Sequence, residues 1–207
     1  MRLQDLSKKD LNKQTKIHPE LHKFPTEHIK YFFGYGKGMH KIGKQFASLS
    51  KQISSSLIHT ISVYTSCEID NAKFKIQLYN VNENGPTTNL IKGACIMANA
   101  KFGKDYTVID VNHLDIKYPR KGFCVAIEWL RLKRNERFYA YKYRGKGERL
   151  LGMNYEPTIA AYPSEHCDTW VFDGENWVQR KNTKSILNNY DGKFRSLEIK
   201  VELGSRI

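Results

Sequence analysis

A chain of 207 residues with 40% hydrophobic residues, 12 Tyr and 10 Phe is long enough for one sizeable core and too apolar for a disordered protein. No apolar run nears the roughly 18 to 20 residues of a membrane-spanning helix, and no apolar signal segment is visible at the start as written. The net charge of +13 is uneven: residues 1–56 hold 11 Lys/Arg against 4 Asp/Glu, residues 57–130 hold 8 against 7, and residues 131–207 hold 15 against 10. The expected core is therefore neutral, and the excess at either end would draw phosphates, anionic lipids or acidic glycans.

Residues 1–30 are polar and Lys-rich and read as an N-terminal tail or linker ahead of a domain spanning 31–207. Within the tail, His18 and His22 stand four apart, but two imidazoles fall short of a metal site, so solvated histidines are the better reading. Gly38-Met-His-Lys-Ile-Gly-Lys-Gln45 nearly spells a phosphate-binding loop. Gln45 stands where the magnesium-binding hydroxyl belongs, and no apolar strand leads into the segment, which argues against nucleotide binding.

From Tyr31 onward the periodicity is that of strands. Ala72–Tyr79 and Leu197–Leu203 alternate, and Phe74, Ile76 and Leu78 share a face opposite Lys73, Lys75 and Gln77. Leu57–Tyr64 and Tyr106–Val111 alternate less cleanly but are compatible with strands. Gly122–Leu130 is apolar on both faces except at Glu128, as a central strand should be. Turn signals at Asn82–Pro86, Pro119–Gly122, Gly145–Gly147, Asp173-Gly174 and Asp191-Gly192 separate these runs. The pattern predicts an all-β protein, an antiparallel, jelly-roll-like sandwich.

The cysteines Cys67, Cys95, Cys124 and Cys167 lie far apart without a zinc or redox motif. Cys95 and Cys124 sit in apolar runs and are expected as buried free thiols, with a disulfide open to an exported chain. No metal or cofactor is expected.

Three segments carry candidate function. Glu128, inside the apolar strand, fits a structural ion pair, or a general acid of a glycoside hydrolase if a second carboxylate lies close. Trp170 and Trp177 flank Asp173-Gly174, and a two-residue turn would set the indoles opposite one another, as core or as a platform for sugar rings. Arg131–Arg149 interleaves 8 Lys/Arg with Phe138, Tyr139, Tyr141 and Tyr143. Tyr139, Tyr141 and Tyr143 would share one face. With Arg134, Arg137 and Lys142 they suit a nucleic acid or an acidic polysaccharide, unless the segment is an ordinary charged sheet edge.

Lys41-Ile-Gly-Lys-Gln-Phe46, Ala72–Asn80, Ile109–Ile116, Pro119–Leu130, Leu151-Gly-Met153 and the Trp170/Trp177 segment occur in this order. Together they resemble the β-sandwich domain of Bacteroidetes carboxypeptidase-like regulatory-domain proteins, over roughly residues 31–203. The resemblance implies an exported setting (secreted, periplasmic or attached to the outer membrane) and an accessory or adhesive role at the cell envelope. It implies no peptidase activity and no catalytic residues. The expectation is a non-catalytic binding module for a glycan or cell-envelope component. The alternatives are polyanion binding through 131–149 and hydrolysis through Glu128.

Overall fold

The computed structural model describes residues 25–36, 39–48, 56–93, 95–142 and 149–204. The His18/His22 pair, Gly38, Tyr143 and the Gly145–Gly147 turn lie outside the described residues.

Among the described residues, fifteen strands follow in chain order. They are β1 (Tyr31–Phe33), β2 (Lys41–Phe46), β3 (Leu57–Cys67), β4 (Ala72–Asn82), β5 (Gly85–Asn89), β6 (Ile96–Ala100), β7 (Gly103–Asp110) and β8 (Phe123–Trp129). After these come β9 (Glu136–Lys142), β10 (Arg149–Tyr155), β11 (Thr158–Ser164), β12 (Thr169–Phe172), β13 (Trp177–Gln179), β14 (Phe194–Leu197) and β15 (Ile199–Gly204). The helical pieces between them are three-residue 3-10 turns. All the strand pairings are antiparallel, as the alternating patterns require.

Two sheets face each other. In the first, β11 joins β1 to β3, β7 lies on the other edge of β3, and the successive strands β14 and β15 wedge between β11 and β3. The second runs β13-β12-β2-β8-β4-β5, with β6 sharing the free edge of β4. Their inner faces bury Ile61, Val63, Ile159, Leu197 and Ile199 against Phe74, Ile76, Leu78, Phe123, Val125 and Ile127. Each of these side chains withdraws apolar surface from water at about 25 cal/mol per Å².

The runs predicted as strands are all strands, with two refinements. Leu197–Leu203 breaks at Glu198, whose carboxylate accepts a 2.6 Å bond from the Tyr106 hydroxyl and pairs with Lys200 at 3.4 Å. On β3 a bulge between the pairs Glu202↔Thr60 and Leu203↔Ile58 leaves His59 as an extra residue. Ile58 and Ile61 can therefore both face inward although three residues apart. Within the near phosphate-binding loop, Lys41–Phe46 is strand β2. Lys44 points inward, donating to the Tyr162 hydroxyl (3.1 Å) and the Leu197 carbonyl (2.8 Å), which is a buried structural role.

All four cysteines are free thiols. Cys124 is buried as expected, but Cys95 is exposed, because the apolar run it begins forms β6 on the free edge of β4.

Candidate binding site in the curled second sheet

The register of the second sheet places Trp177, Phe172, Lys41, Glu128, Lys75 and Met97 in one row across six strands. The next row holds Gln179, Trp170, Gly43, Ala126 and Gln77, and the one after it Gln45, Cys124 and Tyr79. Because side chains alternate, all of these face away from the main core.

This outer face is nevertheless partly closed. Tyr79 on β4 meets Trp177 on β13 edge-on at 5.3 Å between ring centroids, although three strands separate theirs. The sheet curls until β5 and β13, the ends of its strand order, approach each other. Small residues form the floor of the curl. A Cβ at Gly43 would lie 2.6 Å from the Cys124 Sγ, so glycine is what admits the thiol. Tyr79, Val81, Cys124 and Ala126 make a second, smaller apolar cluster there, with Trp177 packed against it. Burial, with the Asp168 charge adding to it, pushes the Cys124 thiol well above the usual range, which makes it a packing group rather than a nucleophile. Asp168 is also raised by burial, opposed by the Lys44 charge, while its Oδ2 accepts a 2.7 Å bond from Ser196.

The two tryptophans pair differently from the sequence expectation. Asp173–Asn176 form a four-residue loop in which Asp173 Oδ1 accepts the backbone N–H groups of Glu175 and Asn176, both at 2.9 Å. Phe172 therefore stands opposite Trp177, and Trp170 opposite Gln179. Trp170 is 7% exposed, and its Nε1 donates to Gln45 Oε1 at 2.8 Å. Its ring lies so close to Gly85 that a Cβ there would meet it at 2.5 Å. Trp170 is buried packing, whereas Trp177 is half-buried and tilted against Phe172 at 5.3 Å.

Each end of this face has its own polar character. At one end the Glu128 carboxylate sits between Lys41 (3.8 Å) and Lys75 (3.7 Å), and Lys41 also donates to the Tyr79 hydroxyl at 3.2 Å. This is the ion-pair arrangement expected of a carboxylate on a sheet face. At the other end, four residues along β2, an open cavity of about 620 Å³ is lined by Gln45, Ser48, Val81, Asn82, Glu83, Arg120 and Lys121. The β4–β5 turn and the Pro119–Gly122 turn form its walls. Gly122 has φ +83°, and a Cβ there would strike the Phe46 carbonyl oxygen at 2.2 Å, so this glycine sets how closely the second wall approaches β2. Gln45 connects the cavity to Trp170 through its side-chain oxygen.

The basic aromatic ribbon lies elsewhere. Glu136–Lys142 and Arg149–Tyr155 pair over seven residues as a two-stranded sheet joined to neither large one. Tyr139 and Tyr141 share a face with ring centroids 5.9 Å apart, and Lys142 and Arg134 are exposed. Arg137 is engaged at the hairpin root, pairing with Glu68 and, at 3.6 Å, with Glu156. The structure thus separates the predicted tryptophan and ribbon residues into two places.

Tyr79, Gln45, Arg120 and Lys121 were not among the residues expected to bind a ligand. One signal for the first was present: the outward positions of β4 run Lys73, Lys75, Gln77 and then turn apolar at Tyr79 and Val81.

No family model matches the sequence, and no curated protein is significantly similar to it. Among solved structures, the cysteine protease and lectin-like domains of Cwp84, a surface-layer-associated protein of Clostridium difficile, superpose with a TM-score of 0.46 and 10% identity. The match covers 80% of this chain and 32% of that one, and its TM-score lies below the level at which a shared fold follows.

Proposed function

We propose that this chain is a non-catalytic binding or accessory module of the cell envelope that holds a glycan in the cavity at the open end of the curled sheet. The observation that carries the reading is the lining of that cavity. Its volume of about 620 Å³ suits one or two sugar rings. The Gln45 and Asn82 amides, the Ser48 hydroxyl and the Glu83 carboxylate can share hydrogen bonds with sugar hydroxyls, while Val81 offers a surface for ring C–H groups. Arg120 and Lys121 favour a sugar that bears a carboxylate, sulfate or phosphate. The envelope setting rests on the sequence resemblance. A hydrolytic reading through Glu128 has less support, since that carboxylate is held between two lysines at the opposite end of the face.

Intrinsic tryptophan fluorescence tests the proposal, because Trp170 is hydrogen-bonded to a cavity residue. Titration with acidic oligosaccharides is expected to give a saturable change. The Arg120→Ala/Lys121→Ala double variant should weaken it at least about tenfold, since hydrogen bonds to charged groups contribute about 1.5–3 kcal/mol each. An unchanged affinity in that variant, or no response to any glycan, would refute the proposal.

A further inference from the structure

The β9–β10 hairpin has a surface that a glycan cavity does not use. Its root is fixed. Asn135 is fully buried and bonds Lys73 N–H (3.1 Å), Lys73 O (2.7 Å) and Leu130 O (2.9 Å), while Arg137 is held by Glu68 and Glu156. Beyond the root the described residues 138–142 and 149–151 are exposed on both faces. An isolated two-stranded hairpin is at best marginally stable in water, and a contiguous apolar surface on one marks a contact.

The register defines that surface. Phe138 pairs with Met153, Ala140 with Leu151 and Lys142 with Arg149, all on one face. Phe138 is 68% exposed, Leu151 81% and Met153 45%. The opposite face carries Tyr139, Tyr141 and Leu150, each about two-fifths exposed. The apolar patch is bounded outward by the two cations, with Arg131, Lys133 and Arg134 exposed near the root. Glu136 is the one acid among the described hairpin residues, and its carboxylate accepts a 3.4 Å bond from Tyr155.

We infer that the hairpin is a docking arm for an anionic lipid surface, laid flat so that Phe138, Leu151 and Met153 enter the interface while Lys142 and Arg149 reach the headgroups. Charge complementarity selects this occupant. Cations beside buried apolar groups are what a peripheral segment needs, because apolar burial and attraction to anionic lipid add. Long basic side chains can keep their charge at the headgroups while their stems are buried, and Tyr139 and Tyr141 stay on the face turned to water. A polyanion would engage the cations and tyrosines but leave Leu151 and Phe138 in water. A second copy would bring the same positive charge, and the patch is far smaller than the roughly 20 to 30 residues a side of a stable interface.

Co-sedimentation with phosphatidylcholine vesicles, with and without phosphatidylglycerol, tests the inference at low and near-physiological salt. The protein is expected to pellet with the anionic vesicles only. Both Phe138→Ser/Leu151→Ser, which leaves the charge intact, and Lys142→Gln/Arg149→Gln should weaken binding at least about tenfold, equivalent to about 1.4 kcal/mol. Neither should move the thermal midpoint, since these side chains are exposed. A Leu151→Trp variant should show a blue-shifted emission on the anionic vesicles. Undiminished binding by the Ser variant would overturn the inference, as would binding to single-stranded DNA but not to vesicles. A vesicle-independent dimer abolished by the Ser variant would also overturn it.

Discussion

Trp170→Ala is expected to lower the unfolding free energy by about 3–5 kcal/mol, the usual range for removing a buried aromatic side chain. The indole fills the space between the floor of the curled sheet and the β4–β5 turn, where Gly85 gives it room by having no side chain. Its Nε1 is the donor to Gln45, so truncation also releases a residue that lines the cavity. Trp170→Phe keeps most of the ring and loses the hydrogen bond, and should cost about 1 kcal/mol. Urea denaturation of the two variants measures both effects. If Trp170→Ala kept the wild-type midpoint while losing glycan affinity, the residue would be a ligand contact and the packing role assigned to it would fail.

Asn135→Ala should have a comparable effect, about 3 kcal/mol. Its side chain is the partner of three backbone groups, Lys73 N–H, Lys73 C=O and Leu130 C=O, and an unsatisfied buried group costs about 1–3 kcal/mol. Its own carbonyl also accepts the Glu156 N–H at 2.8 Å, which ties the start of the hairpin to its end. Asn135→Asp should not rescue, because a carboxylate would face two carbonyl oxygens without the amide donors. Denaturation gives the magnitude, and limited proteolysis locates it: cleavage should rise within 136–155 before the sandwich unfolds. Uniform protection of the hairpin in Asn135→Ala would contradict this anchoring role.

Much of the sandwich was legible because its strands have a period of two and turn residues between them. Ala72–Tyr79 shows this plainly, while Gly122–Leu130 was legible instead as a continuous apolar run between turns, buried on both faces. Leu57–Tyr64 was harder to read because the bulge at His59 breaks the alternation, and a bulge is set by the partner strand. The site was less legible. Asp173-Gly174 signals a turn, but whether the loop has two residues or four depends on the side chain of Asp173 capping two N–H groups, and that choice fixes which aromatic faces Trp177. Tyr79 and Trp177 are nearly a hundred residues apart and meet only because the sheet curls over Gly43 and Ala126. The Pro119–Gly122 turn signal does not by itself bring Arg120 and Lys121 beside Gln45 and Asn82; the folded turn does. The hairpin's charge and aromatics were visible in sequence, while the apolar pairing of Phe138 with Met153 needed its register.

Backbone amide chemical-shift mapping during titration with an acidic oligosaccharide locates the glycan residue by residue. The shifts are expected to cluster at Gln45, Ser48, Val81, Asn82, Glu83, Arg120 and Lys121, with residues 136–155 unmoved. Shifts confined to the hairpin, or none at saturating ligand, would contradict a glycan site in the curled sheet.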